Sequence, residues 1–319
     1  MDRLNRGLDR VEGDSDDTGS PLFFSQERQA DVVAESLRHL AVPQELYSLN
    51  ELDVFYEDEL KALWTYMRPQ GRPSFTPTML RDFVAWQRLI SEGFGPGRLP
   101  LKFLVLGSRS PGVFCFGGDL ELFQRLIRDG NRDGLVQYGY RCVEILDRNA
   151  RALELPMLTI GLVEGSALGG GFESLLSFDV LIAERGATFG LPEVIFGLFP
   201  GMGAHAFLTR KLGSAMAERM ILSNETYSAE QMYEMGIVHV LAEPGEAASA
   251  CRDYMQKSRR RHMGLVKARQ AMRTASPVPL DELKRIVDLW ADAALGLTEQ
   301  DLKVMNRLAK AQSRLAKAA

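Results

Sequence analysis

Short, nearly continuous apolar runs alternate along this chain with longer stretches in which apolar residues recur every three or four positions. LKFLVLGS (101–108), MLTIGLVEG (157–165) and DVLIAERG (179–186) are bounded by turn residues, the pattern of strands buried on both faces. ELDVFYE (51–57) and ALWTYMRP (62–69) are aromatic-rich and separated by a polar turn, which predicts a hairpin. Thr76 and Pro77 supply an N-cap and a proline at N1 for a helix running to about Ile90, which stops in the cluster Gly93, Gly95, Pro96 and Gly97. Helical spacing over about 119–129 and 132–153 predicts two more helices, the second carried by Val136, Tyr140, Val143, Leu146 and Leu153. ATFGLPEV (187–194) is a short fourth strand-like segment, and VHVLAE (238–243) reads as a late strand. Between them Ser228 and Gln231 form a capping box for a helix ending near Gly236. From about 245 to 315 the pattern is helical, in three or four pieces. Buried strands alternating with helices predict an α/β fold.

Residues 1–22 are rich in Asp, Arg, Gly and Ser and offer little to bury, which predicts a disordered tail. A short helical lead-in is expected over 23–45, a strand-rich core over 46–245 and a helical region over 246–319. The whole chain has 319 residues, 45% of them hydrophobic and 25% charged, with a net charge of −4, which argues against binding nucleic acid through a broad basic face. Three scattered cysteines (Cys115, Cys142, Cys251) are too few for a disulfide framework or a zinc site and are expected to be small buried thiols. With no run of eighteen apolar residues and no apolar stretch near residue 1, no membrane insertion or secretory signal is predicted. The expected location is the cytoplasm.

The segment GLVEGSALGGGFESLLSFDVLIAERGATFGLPEVIFGLFPGMGA (161–204) holds the most chemistry. Gly169, Gly170 and Gly171 stand where a strand turns into a helix, a place that offers free backbone N–H groups and lets a ligand approach the chain closely. Glu173 falls in the first helical turn, where the helix dipole favours its carboxylate, and Glu193 follows after the next strand exit. Upstream, SRSPGVFCFGGDLELF (108–123) repeats the device, ending in Gly117-Gly118-Asp119 at a helix start. Two sets of N–H donors at neighbouring strand exits are what an oxyanion hole for a thioester or enolate needs. The same glycines would equally serve tight helix–strand packing, and Glu173 could be no more than a complement to the helix dipole. Neither a dinucleotide-binding glycine pattern in a strand–turn–helix frame nor a phosphate loop is present.

FCFGGDL and GSALGGGFE, a glutamate twenty residues beyond the second, and then FPGMG together resemble the crotonase (enoyl-CoA hydratase/isomerase) superfamily over about residues 50–295. The third motif, Pro200-Gly201-Met202-Gly203-Ala204-His205, departs from the superfamily's usual PGxGG. A closer likeness is to the bacterial diffusible signal factor synthases, a crotonase branch. It is carried by LWTYMRPQGRPSFTP (63–77), PGVFCFGGDLELFQRLI (111–127), the segments around ALGGGFE and FPGMGA, and DLWADAALGL (288–297). The resemblance implies a β-β-α superhelix with a C-terminal helical region, assembled as a trimer or dimer of trimers. It implies an oxyanion hole from a peptide N–H near Phe116 or Gly117 and that of Gly170. Glu173 and Glu193 would be the acid/base pair, one taking the α-proton and the other handling the 3-hydroxyl or water.

The activity implied is dehydration of a 3-hydroxyacyl thioester on acyl carrier protein or coenzyme A, followed by hydrolysis to a free cis-2-unsaturated fatty acid that serves as a quorum-sensing signal. No metal or redox cofactor is implied, and a sensor or regulatory protein is a possible partner of such synthases. A generic enoyl-CoA hydratase/isomerase and a non-catalytic binding protein are the alternative readings. Leu168, Met202 and Trp290 are candidates for the wall of an acyl tunnel, or ordinary core packing. The basic stretch Lys257, Arg259, Arg260, Arg261, Lys267 and Arg269 could meet coenzyme A phosphates or an acidic carrier, or be a solvated face.

Overall fold

A computed structural model describes residues 41–318; the expected tail and most of the lead-in lie outside the described residues. After a 3-10 turn at Gln44–Ser48, β1 (Leu52–Glu57) and β2 (Ala62–Met67) form the predicted antiparallel hairpin, with Leu52 opposite Met67. Helix α1 (Pro77–Gly93) begins where the sequence places it: Thr76 Oγ1 accepts the Met79 N–H at 3.0 Å, and Pro77 occupies the position whose N–H would be unused.

Next come β3 (Phe103–Ser108) and β4 (Val113–Cys115), followed by α2 (Leu120–Arg128) and α3 (Arg132–Ala150). The second unit is β5 (Leu158–Val163), β6 (Ser166–Leu168) and α4 (Gly170–Leu175). The third is β7 (Val180–Glu184) and β8 (Thr188–Gly190), a 3-10 turn at Pro192–Phe196, then α5 (Ala204–Leu212) and α6 (Ser214–Leu222). Strand β9 (Thr226–Ser228), α7 (Ala229–Glu234) and β10 (Val240–Ala242) close the strand-rich part. Ser228 and Gln231 make the expected capping box at the start of α7. Helices α8 (Ala247–Ser258), α9 (His262–Ala275), α10 (Leu280–Leu295) and α11 (Glu299–Ala318) follow.

Each unit places its first strand in one sheet and its second in another, so the chain winds as β-β-α turns. The larger sheet has the order β1-β2-β3-β5-β7-β10, all parallel beyond the hairpin, and the smaller has the order β4-β6-β8-β9. The larger sheet is covered on both faces, which is why its strands read as continuous apolar runs. One face packs Trp64, Phe103, Ile160 and Ile182 against Met255 and Val266 of α8 and α9.

Two expectations are corrected. The third predicted helix ends at Ala150, and Ala152, Leu153 and Glu154 then take positive φ (51°, 51° and 58°), turning the chain left-handed into β5. Of the five residues that carry the predicted pattern, Val143, Leu146 and Leu153 are buried, whereas Val136 and Tyr140 are half-buried, and the Tyr140 hydroxyl meets Asp288 of α10 at 3.0 Å. Among the described residues no helix is long and apolar enough to cross a membrane.

Candidate active site

The smaller sheet assembles the site. Strands β4, β6 and β8 are parallel neighbours, with Cys115 opposite Ala167 and Leu168 opposite Gly190, so the chain leaves all three at the same edge. The exits are Phe116-Gly117-Gly118, Gly169-Gly170 and Leu191-Pro192-Glu193. The Gly169 N–H donates to Gly190 O at 2.8 Å and ties the second exit to the third.

Glycine is required at this junction for two reasons. Gly117 and Gly169 have positive φ (85° and 54°), a region that side chains disfavour. The loops also touch: a Cβ on Gly117 would sit 2.4 Å from Gly170 N, and one on Gly171 would sit 2.2 Å from Cys115 O.

Glu173 projects from the first turn of α4 and is 1% exposed. Its Oε1 accepts the N–H groups of Met202 at 2.8 Å and Ala204 at 3.0 Å. The Pro200–Ala204 motif that departs from the superfamily pattern therefore serves as the cradle of this carboxylate. Burial raises the Glu173 pKa to about 7, against the opposing pull of those two N–H groups. Glu193 lies in the 3-10 turn after β8, and its Oε1 packs against Gly169, where a Cβ would come within 2.6 Å. The residue is half-buried, yet its Oε2 is sealed from solvent and has no hydrogen-bond partner. Burial, and then the nearby Glu173 charge, hold its pKa well above the ordinary carboxylate range. The pair is therefore set to carry one proton near neutrality, on Glu193, with the negative charge on Glu173 where two N–H donors meet it.

Of the N–H groups expected to form an oxyanion hole, that of Gly170, at the first position of α4, has no acceptor among the described residues. The Phe116 N–H is not free: it donates to Pro73 O at 2.7 Å. The Gly117 N–H faces Cys115 Sγ at 3.3 Å, a weak acceptor. The Gly118 N–H has no acceptor among the described residues and lies beside Gly170, 3.5 Å from where a Cβ on that glycine would stand. Gly118 is also held from behind, because Arg72 donates through Nη2 to Gly118 O and through Nη1 to Gln312 Oε1 of α11, both at 3.1 Å.

These groups open on a cavity of about 580 Å³. Gly118, Gly169, Gly170, Glu173 and Glu193 form its polar end; Met202 and Trp290 are in its wall. Leu168 is not: its side chain packs beside Gly190, where a Cβ would stand 3.4 Å away, outside the cavity lining. Trp290 lies against Gly201, where a Cβ would come within 2.6 Å, and its ring meets Phe123 at 5.0 Å.

Several lining residues escaped the reading of the sequence. Leu308 and Gln312 arrive from α11, far along the chain. Tyr138 donates its hydroxyl proton to Phe75 O at 2.6 Å and accepts the Asp119 N–H at 3.2 Å, which pins the first exit loop.

His205 lines neither this cavity nor its neighbour, and its Nδ1 is buried without a partner. The three cysteines are buried and unpaired. The exposed turn Arg259–Arg261 precedes His262, whose Nε2 lies 2.9 Å from Lys102 O at the entrance to β3. None of Lys257, Arg259, Arg260, Arg261, Lys267 and Arg269 lines the cavity.

The family described as enoyl-CoA hydratase/isomerase matches residues 100–286, more than half of the chain. The short-chain-enoyl-CoA hydratase of Clostridium acetobutylicum is 36% identical over 110 residues, 34% of this chain and 41% of that protein. Among curated relatives the chain spans 20–67% of the relative's length. Two solved structures are similar at 25% identity. DspI of Pseudomonas aeruginosa has a TM-score of 0.62 and aligns over 75% of this chain and 95% of its own. An enoyl-CoA hydratase of Geobacillus kaustophilus HTA426 has a TM-score of 0.63, over 78% and 90% respectively.

Proposed function

The chain belongs to the enoyl-CoA hydratase/isomerase family, with the α/β crotonase fold and a C-terminal helical region, and from that premise we propose that it moves water across the 2,3 bond of a 3-hydroxyacyl/2-enoyl thioester and then releases the free 2-unsaturated acid. The observation that carries the first step is the convergence of two buried carboxylates and two free N–H groups at one end of an apolar cavity. The Gly118 and Gly170 N–H groups are placed to polarise the thioester carbonyl and to stabilise the enolate.

Dehydration needs a carboxylate to take the C2 proton and a carboxylic acid to protonate the departing C3 hydroxyl. One C–H and one C–O bond break, a C=C bond forms and water leaves. The pair accepts one proton and gives one, so it ends with its single proton on the other glutamate. Hydration runs the same steps backwards and starts from the distribution found here, with Glu173 as the base toward water and Glu193 as the proton donor to C2.

Release of the acid is the finer part of the reading. It rests on the likeness to the diffusible signal factor synthases and on the largely apolar wall of the cavity, which suits an acyl chain. The same glutamates are proposed to activate water against the thioester carbonyl, with the thiol of the carrier leaving. Acyl carrier protein is the proposed carrier, a trimer or dimer of trimers the proposed assembly, and the cytoplasm the proposed location.

Incubating the purified protein with 3-hydroxyacyl carrier protein and, in parallel, with short enoyl-CoA, and analysing products by mass spectrometry, tests this. A free unsaturated acid from the carrier is expected. Fast turnover of the short CoA ester with no free acid would leave a generic enoyl-CoA hydratase instead. If Glu173→Gln and Glu193→Gln left the cellular phenotype intact, a non-catalytic binding role would replace both.

The two carboxyl groups also set a pH profile. Hydration requires Glu173 as carboxylate, so kcat/KM should fall as pH drops below about 7. It requires Glu193 protonated, so a second decline belongs on the alkaline side. A profile flat from pH 5 to pH 9 would remove this assignment.

A further inference from the structure

Residues 72–76, just before α1, run beside the first exit loop, and Phe75 pairs with Gly118 in a parallel bridge. Pro73 O accepts the Phe116 N–H at 2.7 Å, and the Phe75 N–H donates to Gly117 O at 2.8 Å. That second bond fixes the peptide plane whose other end is the Gly118 N–H. The peptide on the far side of Gly118 is held at both ends too. Arg72 Nη2 donates to its carbonyl at 3.1 Å, and Tyr138 Oη accepts its Asp119 N–H at 3.2 Å. Of the groups that hold this loop, Arg72 alone brings a charge.

The charge is more than the tether requires, since a neutral donor could hold a carbonyl. Arg72 is half-buried, and both of its acceptors are neutral: Gly118 O and Gln312 Oε1. Burial disfavours the charged guanidinium, and Asp119 and Glu121 offset this without an ion pair among the described residues. Asp119 is engaged as the N-cap of α2, where its Oδ1 accepts the Leu122 N–H at 3.1 Å. Gln312, 2% exposed, reaches Arg72 from α11 and lines the same cavity as Glu173 and Glu193. A glutamate at 312 would give the guanidinium a charged partner, the stronger kind of bond, yet the chain places an amide there. Withdrawing a cation from water without a counterion costs stability. The uncancelled field falls on the oxyanion hole. Nη2 lies 3.1 Å from Gly118 O, and the N and O of one residue are at most roughly 3.6 Å apart, so the cation stands within about 7 Å of the Gly118 N–H.

Resting on the acyl-thioester reading above, we propose that Arg72 is a positioning residue of the oxyanion hole, and that its guanidinium, left uncompensated by the neutral Gln312, stabilises through Gly118 the negative charge on the thioester oxygen of the enolate. It fixes the direction of the Gly118 N–H and adds a positive field behind it, where charge develops only as the enolate forms. Helix α11 thereby contributes to the chemistry from far along the chain, by supplying a partner that holds Arg72 without neutralising it.

Gln312→Glu separates the charge from the tether, because it keeps an acceptor for Nη1 and supplies a counterion. With an enoyl thioester, each protein being assayed at its own pH optimum, kcat should fall about tenfold while KM stays within about threefold. Tm should equal or exceed that of the parent. Arg72→Met should lower kcat at least as much, and Arg72→Lys, which keeps the charge, should recover most of the loss. Binding gives a readout independent of turnover. A 3-oxoacyl thioester, acidic enough to bind as its enolate, should bind Gln312→Glu about tenfold more weakly than the parent, whereas a saturated acyl thioester should bind both alike. Parent-like kcat and enolate affinity in folded Gln312→Glu would make Arg72 a tether only and overturn the proposal, with the acyl-thioester reading intact. Equal losses in Arg72→Lys and Arg72→Met would do the same, and these two variants decide the matter if Gln312→Glu does not fold. A parent protein that turned over no enoyl thioester and bound neither analogue would overturn both.

Discussion

Glu173→Gln should lower the rate of water addition about 10³-fold, the usual range for losing a general acid or base, and should at the same time make the folded protein more stable above neutral pH. The two effects have one cause. The pKa of Glu173 is about 7 in the folded protein, against the ordinary 4.5 of an exposed glutamate. A raised carboxylate pKa means that the folded state binds the proton more tightly than the unfolded chain does. Stability is therefore greatest below the unfolded pKa and declines as pH rises through about 7, where the buried group must ionise. A shift of this size corresponds to an order of 3 kcal/mol, and sharing of the proton with Glu193 sets that as an upper figure. Glutamine keeps an acceptor for the Met202 and Ala204 N–H groups but never ionises. Thermal unfolding followed from pH 5 to pH 9 should show the parent losing several degrees in Tm across neutrality and the variant losing much less. Glu193→Gln should be as inactive. An unchanged or lower Tm for Glu173→Gln at pH 8, with activity within tenfold of the parent, would refute the assignment.

The parts of this molecule legible in the sequence are those whose cause is local. Thr76-Pro77 opens a helix because the cap and the fixed φ act within one turn, and Ser228 with Gln231 does the same. The strands of the larger sheet are legible because both faces are covered, leaving no polar alternation to obscure them. In the smaller sheet, which builds the site, only β8 was legible, within 187–194. Its strands have three residues each, too few for a period of two to register. The two glutamates were read as a pair from their setting and from the resemblance, and the geometry brings both to one cavity.

At the first exit the sequence pointed to a peptide N–H near Phe116 or Gly117, and the Phe116 N–H is occupied in the structure. What occupies the Phe116 N–H is Pro73 O, an acceptor from a loop before α1 that pairs only in three dimensions. The resemblance offered Leu168 as a tunnel residue, but its side chain packs beside Gly190, outside the cavity lining. The left-handed turn at Ala152–Glu154 has no glycine or asparagine to announce it. The bond from Trp86 Nε1–H to Thr65 Oγ1 at 2.9 Å was not legible either, because it joins α1 to a strand that only the fold brings near.

Gly117→Ala should cost at least 10²-fold in kcat/KM, in the range known for removal of one oxyanion donor, while the rest of the chain still folds. Two independent effects act at this position. With φ of +85°, the backbone is in the region that a Cβ disfavours, a cost of about 1 kcal/mol or more. Added to that, the new Cβ would lie 2.4 Å from Gly170 N, 3.0 Å from Gly170 Cα and 3.1 Å from Gly171 N. All three are backbone atoms, so no side chain can swing away to make room. Either the first exit loop retreats from the second or α4 shifts its first turn. In both cases the Gly118 and Gly170 N–H groups no longer converge, and Glu173, three residues further along α4, moves with them. The loss should therefore appear in kcat, because the substrate's acyl chain still has Met202 and Trp290 to pack against.

Gly165→Ala is the matched control. Its Cβ would meet Gly112 C at 2.1 Å, an equally severe backbone clash placed at the start of β6 rather than at its exit. Gly165→Ala should lower Tm by an amount similar to Gly117→Ala but leave kcat of the remaining folded protein near that of the parent. If both variants lost kcat in proportion to their loss of Tm, the glycine at 117 would be needed for packing alone, and the Gly118–Gly170 pair would not be the oxyanion hole.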